Sequence, residues 1–380
     1  MRVLHVTSGN LFGGIETFLV TLAGMKAQAR GMESEFAFCF AGRLARELQA
    51  HEAISHCLGE VRTRFPWTLV RARRKLKQLL AARRYDVVVC HGSWPQAMLG
   101  PAVRGRHVPL VYFSHAPVSG RHWLDRWAGR VTPDLIICNS RYTQSSTANV
   151  YPGMSSEVVH LPVAPPLKFS HAERLAARSE LETPEEAVVI IQVSRMEALK
   201  GHLPHLEALA KLPRNLHWIA WMVGGAQRAG ESHYMATLKE KARTLGIENR
   251  IRFTGQRSDV SRLLAAADIF CQPNLSPDAF GISFVEALYA GLPVITTAMG
   301  GALEIVDVSC GILVSTESGT LPDALLQLVS DQEKRRRLAE AGPLRARDLC
   351  SPEKQMKQLE CVLSSSMRRE LGAYGDLRHA

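Results

Sequence analysis

Two carboxylates, Asp278 and Glu286, stand eight positions apart in the stretch DAFGISFVEALYAGLPV (278–294), around a Phe280–Gly281 pair and inside an otherwise apolar run. Three chemistries fit acids so placed. In the first, SFVE is a capping box, with Ser283 and Glu286 satisfying each other's backbone amides at a helix start. In the second the acids are a glycosidase pair. Along one straight helix, however, eight steps of about 1.5 Å separate them by roughly 12 Å, beyond the ~5 to 9.5 Å such pairs need. In the third, both acids accept hydrogen bonds from a polyhydroxylated ligand while the helix amides between them face its phosphate. Only the third accounts for the acids and the anion-binding backbone together.

Two cations sit in a comparable position. In QVSRMEALKGH, Arg195 follows an apolar strand-like run and Lys200 ends the next loop, before a helix with Pro204 in its first turn. Arginine forks to two oxygens and lysine acts as a point charge, a pairing suited to a diphosphate; surface solvation is the plain alternative. The N-terminal loop SGNLFGGIETFLVTLA places Gly13 and Gly14 before a helix beginning near Ile15, where backbone can approach an anion. Its spacing matches neither GxGxxG nor a P-loop, and a glycine turn without a ligand is equally compatible with it.

These residues need a scaffold, and the chain is long enough for two domains. It has 380 residues, 46% hydrophobic and 22% charged, a globular composition. Its longest apolar runs, such as AVVIIQV (187–193), are strand-length and too short to cross a bilayer. The opening MRVLHVTSGN does not fit a secretion signal, so a cytosolic location is expected. Eight scattered cysteines form no CxxC pair and read as reduced core thiols. The balance of 46 basic against 36 acidic residues, +10, favours an anionic partner without choosing among nucleotide, lipid surface and nucleic acid.

Strand-like runs alternate with helical patterns: RVLHVTS, DVVVCHG, PLVYFSH, DLIICNS and EVVHLPV, then, after a gap at 163–186, AVVIIQVS, HWIAWMVGG, IRFTGQ, DIFCQPN, PVITTA and GILVS. That rhythm predicts two α/β halves with parallel sheets and a boundary close to Pro165. A last helix, SPEKQMKQLECVLSSS, precedes a polar tail expected to fray. Ligands of such sheets collect at the carboxyl ends of strands, and each motif above falls just after a strand.

At this point the sequence resembles a GT-B glycosyltransferase of the retaining family 4. VSRMEALKG, MVGGAQ, IRFTGQRSDV, LLAAADIFCQPN, DAFGISFVEALYAGLPVITT and GGALEIV occur in the family's order over residues 188–314, joined by GGIET, His91–Gly92 and CNS (138–140) in the first half. The resemblance implies two Rossmann-like parallel-sheet domains facing across a cleft: an acceptor-binding domain (1–164), a nucleotide-sugar-binding domain (165–350) and a C-terminal crossover helix and tail (351–380). It implies that Glu286 binds the donor ribose and that Arg195 and Lys200 hold the diphosphate. Backbone amides of Phe280, Gly281 and Ile282 complete the phosphate and sugar contacts, Gly224 belongs to the donor site, and Gln256, Arg257 and Ser258 lie near the base. His115, in FSHAP, resembles the family's histidine near the reacting face of the sugar. Glu304 matches the glutamate of GGxxE. Asp278 stands where the family usually has glutamate, so the sugar sits deeper or offers a different hydroxyl pattern.

The implied reaction transfers a sugar from a nucleotide diphosphate to a hydroxyl of a sugar, lipid-linked or other acceptor with retention. The sequence holds no DxD triplet, so no metal or other cofactor is expected. Rivals are an epimerase or hydrolase of the same fold and a nonenzymatic nucleotide-sugar-binding subunit. Residues 62–84 carry nine basic side chains and no acid, with Leu69, Leu76 and Leu80 at helical spacing and Trp67 at one end. That is either a solvated outer helix or a face for an anionic membrane surface, and RHWLDRWAGR (121–130) adds aromatics and arginines in the same half. No nucleic-acid-binding motif accompanies the charge.

Overall fold

The computed structural model describes residues 1–10, 13–26, 31–106, 108–225, 229–317 and 319–376. The chain divides into two compact units, Met1–Ala164 with Cys350–Ala380, and Pro165–Leu349.

The first unit is built on seven parallel strands: β1 (Arg2–Thr7), β2 (Glu33–Phe38), β3 (Ser55–Cys57), β4 (Val87–His91), β5 (Leu110–Ser114), β6 (Leu135–Cys138) and β7 (Ser156–Val158), in the order 3-2-1-4-5-6-7. The central strands β4, β5 and β6 are buried along their whole length, as expected where helices cover both faces of a parallel sheet. Side chains of β4 and β5 pack with Leu76, Leu99 and Val103 of the crossover helices Pro66–Ala82 and Ser93–Arg104. Strands β2 and β3 escape the strand rhythm of the sequence because they are polar, ESEFAF and SHC. Glu35 of β2 is nevertheless fully buried: its carboxylate accepts from Tyr85 Oη at 2.6 Å and pairs with His56 at 2.9 Å and Arg83 at 3.1 Å. Burial alone would raise this carboxyl; the bonds from Tyr85 and His56 and the Arg83 charge hold it below its ordinary value.

The basic segment forms the helix Pro66–Ala82, with proline at its start. Ala72 and Leu76 are fully buried, Leu69, Leu79 and Leu80 pack on the core, and Trp67 and Val70 stand exposed. Arg73 turns inward and donates from Nε to the carbonyl of Met98 and from Nη2 toward that of Ala97. Pro101 has no N–H to give Ala97, so the arginine serves a carbonyl that the helix leaves open. The C-terminal helix Pro352–Asp376 runs ten residues past the point where the sequence suggested fraying. It belongs to the first unit, where Met356, Leu359 and Leu363 are buried and Gln358 donates to the carbonyl of Val158.

The second unit has six parallel strands, β8 (Val188–Val193), β9 (Trp218–Val223), β10 (Ile251–Gly255), β11 (Ile269–Gln272), β12 (Val294–Thr297) and β13 (Gly311–Val314), in the order 10-9-8-11-12-13. Chain order reverses between β8 and β11. At such a switch point the loops after the two strands diverge and leave a crevice at their carboxyl ends. Those loops are 194–201, which carries Arg195 and Lys200, and 273–281, which carries Asp278 and Phe280. The first unit has its own switch point between β1 and β4, flanked by the Gly13 loop and Gly92.

Candidate functional site

Across the second unit's switch point Lys200 and Asp278 meet directly, Nζ to Oδ1 at 2.5 Å, with both side chains 21% exposed. Gly201 makes this approach possible. It has φ +74°, and a Cβ there would lie 1.7 Å from the carbonyl oxygen of Pro273, so only glycine lets the loop after β8 lie against the loop after β11. Gln192 donates to the carbonyl of Lys200 at 2.8 Å and fixes the turn. The other oxygen of Asp278 accepts from Asn274 Nδ2 at 2.8 Å, and Gln272 Nε2 reaches both Asn274 at 3.0 Å and Asp278 at 3.4 Å. Gln272 and Asn274 were not singled out from the sequence. Their signal is a pair of amides in FCQPN, at the end of an apolar strand where only a partnered polar group is stable.

The helix after this loop runs from Ile282 to Tyr289 with Gly281 at its N-cap, φ +107°. The capping-box alternative is thereby overturned: Ser283 lies inside the helix, and the Glu286 carboxylate bonds to no described group. The N–H groups of Ile282 and Ser283 have no acceptor among the described residues, which leaves the helix end open to an anion. Glu286 is about one turn further along, partly shielded, and burial raises its carboxyl from 4.5 to about 7. The loop bearing Asp278 and Phe280 rests on Gly300 and Gly301. Gly301 N–H donates to the carbonyl of Asp278 at 2.9 Å, and a Cβ on Gly301 would lie 2.5 Å from Phe280 Cα. The GGxxE element thus supports the loop through its glycines. Glu304 and Ile305 offer backbone carbonyls to Arg345.

Arg195 pairs with Glu197 at 2.7 Å and approaches Glu231 at 3.7 Å, so both cations of the loop after β8 already face carboxylates. Gly224 and Gly225 follow β9; a Cβ on Gly224 would strike the carbonyl of Ser194, and one on Gly225 would come within 2.7 Å of Gln256 Cβ. That close approach brings Gln256 to the same edge, while Ala226 and Gln227 of MVGGAQ lie outside the described residues. The guanidinium of Arg257 is engaged elsewhere, by Asp259 at 2.8 Å and Glu180 at 2.7 Å, with Arg262 completing a four-charge network.

In the first unit, Gly13 caps the helix Gly14–Gly24, and its N–H donates to the Glu16 carboxylate at 3.0 Å. The Gly14 N–H has no acceptor among the described residues, and Leu11 and Phe12 of the same loop lie outside them. His115 is buried just past β5 and is not isolated: its Nε2 meets His91 Nδ1 at 2.8 Å, and His91 Nε2 meets His5 Nδ1 at 3.0 Å. Neither His5 nor the row as a whole is visible from local motifs, since His5 lies on β1, His91 at the end of β4 and His115 just past β5. Elsewhere in this unit a cavity of about 630 Å³ is lined by Arg73, Arg104, Trp127 and Arg130.

Residues 12–165 match the family described as Glycosyltransferase Family 4, and residues 173–345 match Glycosyl transferases group 1. The D-inositol 3-phosphate glycosyltransferase of Corynebacterium aurimucosum is 31% identical over 315 residues, 76% of this chain and 73% of that one. The chain belongs to the GT-B glycosyltransferases of family 4. The enzyme of the same name from Nocardioides sp. is 30% identical over 308 residues, 72% of this chain but 66% of its own length. Among solved structures, HepE of Anabaena in complex with UDP-glucose superposes with a TM-score of 0.84 at 25% identity, over 96% of this chain and all of that one. Both halves of the family are therefore present, and the two parallel sheets are the GT-B fold.

Proposed function

We propose that this protein is a retaining glycosyltransferase that takes a nucleotide diphosphate sugar on the second unit and passes the sugar to a hydroxyl acceptor. One observation carries the reading: an open helix N-terminus at Ile282–Ser283 lies between a Lys200–Asp278 pair and a desolvated Glu286. The diphosphate faces the helix N–H groups, with Lys200 and Arg195 as its cations. Asp278, held by Asn274 and Gln272, accepts from hydroxyls of the transferred sugar, and Glu286 accepts from the ribose. Gly224 and Gln256 border the base. Arg257 supports that loop through its ion pairs with Asp259 and Glu180.

In the transfer step the bond from the anomeric carbon to the phosphate oxygen breaks, and the acceptor oxygen bonds to the same carbon on the same face. The acceptor proton passes to a phosphate oxygen of the departing diphosphate. Positive charge preorganised at Lys200, Arg195 and the helix amides stabilises that leaving group, the arrangement in which fixed donors contribute most to rate. These groups supply the countercharge without a divalent ion, and no further cofactor enters the scheme. HepE, whose structure holds UDP-glucose, makes UDP-sugars the first donors to try.

The test is transfer itself. Purified protein is screened with nucleotide sugars for thermal stabilisation, then assayed with the stabilising donor and hydroxylated acceptors, with and without chelator. A glycoside of retained configuration, formed equally with EDTA present, is the expected result. Isomerised or merely hydrolysed donor would replace the transferase reading with an epimerase or hydrolase, and loss of transfer in EDTA would remove the metal-independent step.

On the acceptor side, no described helix is long and apolar enough to cross a membrane. The exposed Trp67 and Val70 on the basic helix, and Trp123 and Trp127 near Arg126 and Arg130, support peripheral attachment to an anionic cytoplasmic membrane face. Flotation with liposomes containing anionic lipid, and none with neutral liposomes, is the expected outcome.

A further inference from the structure

Three imidazoles joined end to end cross the sheet of the first unit, and strand register explains their path. His5 of β1 is paired with Val89 of β4, and His91, two residues further along β4, emerges on the same face. His91 is paired in turn with Phe113 of β5, and His115 lies two residues beyond that. Each step therefore moves one strand across and two residues toward the carboxyl edge. The rings are packed among aromatics: His5 on Phe36 with centroids 5.5 Å apart, His115 on Phe113 at 4.3 Å, and Phe18 against both His91 and His115.

Proton counting constrains the row. Burial lowers His5 and His115 to about 3 and holds His91 well below its ordinary value, with neighbouring histidines adding to the effect at His91 and His115, so at neutral pH all three are uncharged. Three neutral rings carry three N–H protons, and the two hydrogen bonds use two of them. The third occupies one end of the row, either His5 Nε2 or His115 Nδ1. Neither atom has a partner among the described residues. Both end atoms are buried, but His5 lies within β1 beside Phe36, whereas His115 stands just past the end of β5, at the carboxyl edge where ligands of such sheets collect. A buried N–H without an acceptor is rarer than a buried acceptor without a donor, so the proton belongs at the outer end.

We propose that His5 and His91 are positioning residues that hold His115 as its Nδ1–H tautomer, so that a neutral hydrogen-bond donor is presented to a substrate oxygen at the carboxyl edge of this sheet. His5 Nδ1–H donates to His91 Nε2, and His91 Nδ1–H donates to His115 Nε2. The loop around His115 is braced to match: Asn139 Nδ2 donates to its carbonyl, Thr143 Oγ1 donates to Asn139, and Ser114 Oγ donates to the carbonyl of Ala116. The role of His115 toward substrate rests on the transferase reading; the tautomer does not.

The test reads tautomers directly, from long-range proton–nitrogen spectra of the full-length protein labelled with ¹⁵N-histidine at pH 7.5. Protonation of all three rings on Nδ1 is expected, and a row protonated on Nε2 would overturn the proposal. His91→Leu should release His115 from that tautomer and lower kcat/KM about tenfold or more. His91→Gln, whose amide both accepts and donates, should keep the tautomer and stay within about threefold of wild type. Equal losses in the two variants, or an unchanged His115 tautomer in His91→Leu, would also overturn the proposal. Should His91→Leu fail to fold, the wild-type spectrum decides alone. A wild-type protein that transfers no sugar would refute the transferase reading, and the spectrum would still decide the protonation of the row.

Discussion

Replacing Glu286 by glutamine should make the unliganded protein more stable and the liganded one weaker, a pair of opposite effects that few other roles would produce. Burial raises the Glu286 carboxyl from 4.5 to about 7, so the folded protein resists ionising it. A carboxyl with a raised folded pKa contributes its full stability below the unfolded pKa and loses it as pH rises toward the folded one. The loss is complete above about pH 7 and amounts to (7 − 4.5) × 1.36, or about 3 kcal/mol. At pH 5 the same linkage gives under about 1 kcal/mol. Glutamine has no charge to desolvate. Glu286→Gln should therefore match wild type closely at pH 5 and exceed it by about 2 to 3 kcal/mol at pH 8. Binding should move the other way, because a charge-assisted hydrogen bond to a ribose hydroxyl is worth ~1.5 to 3 kcal/mol, a loss of roughly 10- to 150-fold in affinity. Urea unfolding at both pH values and calorimetric titration with UDP and GDP measure the two halves. Identical pH dependence in the two proteins would refute the desolvation argument, and unchanged nucleotide affinity would remove Glu286 from the site.

Lys200→Ala should lower turnover by about 10² to 10³ while shifting the melting temperature by only a few degrees, since Asn274 and Gln272 continue to donate to Asp278; steady-state rates beside a melting curve check this. In Gly301→Ala the new methyl would press on Phe280, whose Cα is 2.5 Å from the Cβ position, and displace the Asp278 loop. Nucleotide affinity should fall at least ~10-fold by calorimetry, with a destabilisation of about 1 to 3 kcal/mol. Glu35→Ala should cost about 3 to 5 kcal/mol at pH 7, because it strips the carboxylate from Arg83, His56 and Tyr85. Its folded pKa is lowered, so this contribution exists above the unfolded pKa and fades as pH falls through the folded one. Wild type and variant should therefore converge in stability under acid conditions, as followed by circular dichroism.

The second unit was the more legible half. Its six strands are apolar runs of four to six residues, and the motifs follow strands whose carboxyl ends meet at one switch point, so pattern alone put Arg195, Lys200 and Asp278 near a ligand edge. Pattern did not reveal that Lys200 and Asp278 touch. That contact depends on Gly201 and on loops 78 residues apart, which no local window contains. Strands β2 and β3 were missed because a strand that buries a charged side chain in an ion-pair cluster does not look apolar. Ser283 and Glu286 match a capping box by type, yet Gly281, in a left-handed conformation, takes the N-cap position two residues before Ser283. The histidine row depends on register between neighbouring strands that are distant in sequence, which composition does not encode.

The C-terminal helix has a consequence for how the chain is made. Met356, Leu359 and Leu363 are buried with a unit whose other residues end at Ala164, so that unit is discontinuous and Pro165–Leu349 is an insertion within it. During synthesis the inserted segment is complete before Cys350 and the helix that follows are made, whereas its host waits for them. Pairing of Gln358 with Val158 closes a loop of 200 positions, an entropically slow event. A chain truncated after Leu349 should therefore keep a folded second unit while the first unit, lacking this helix, stays open.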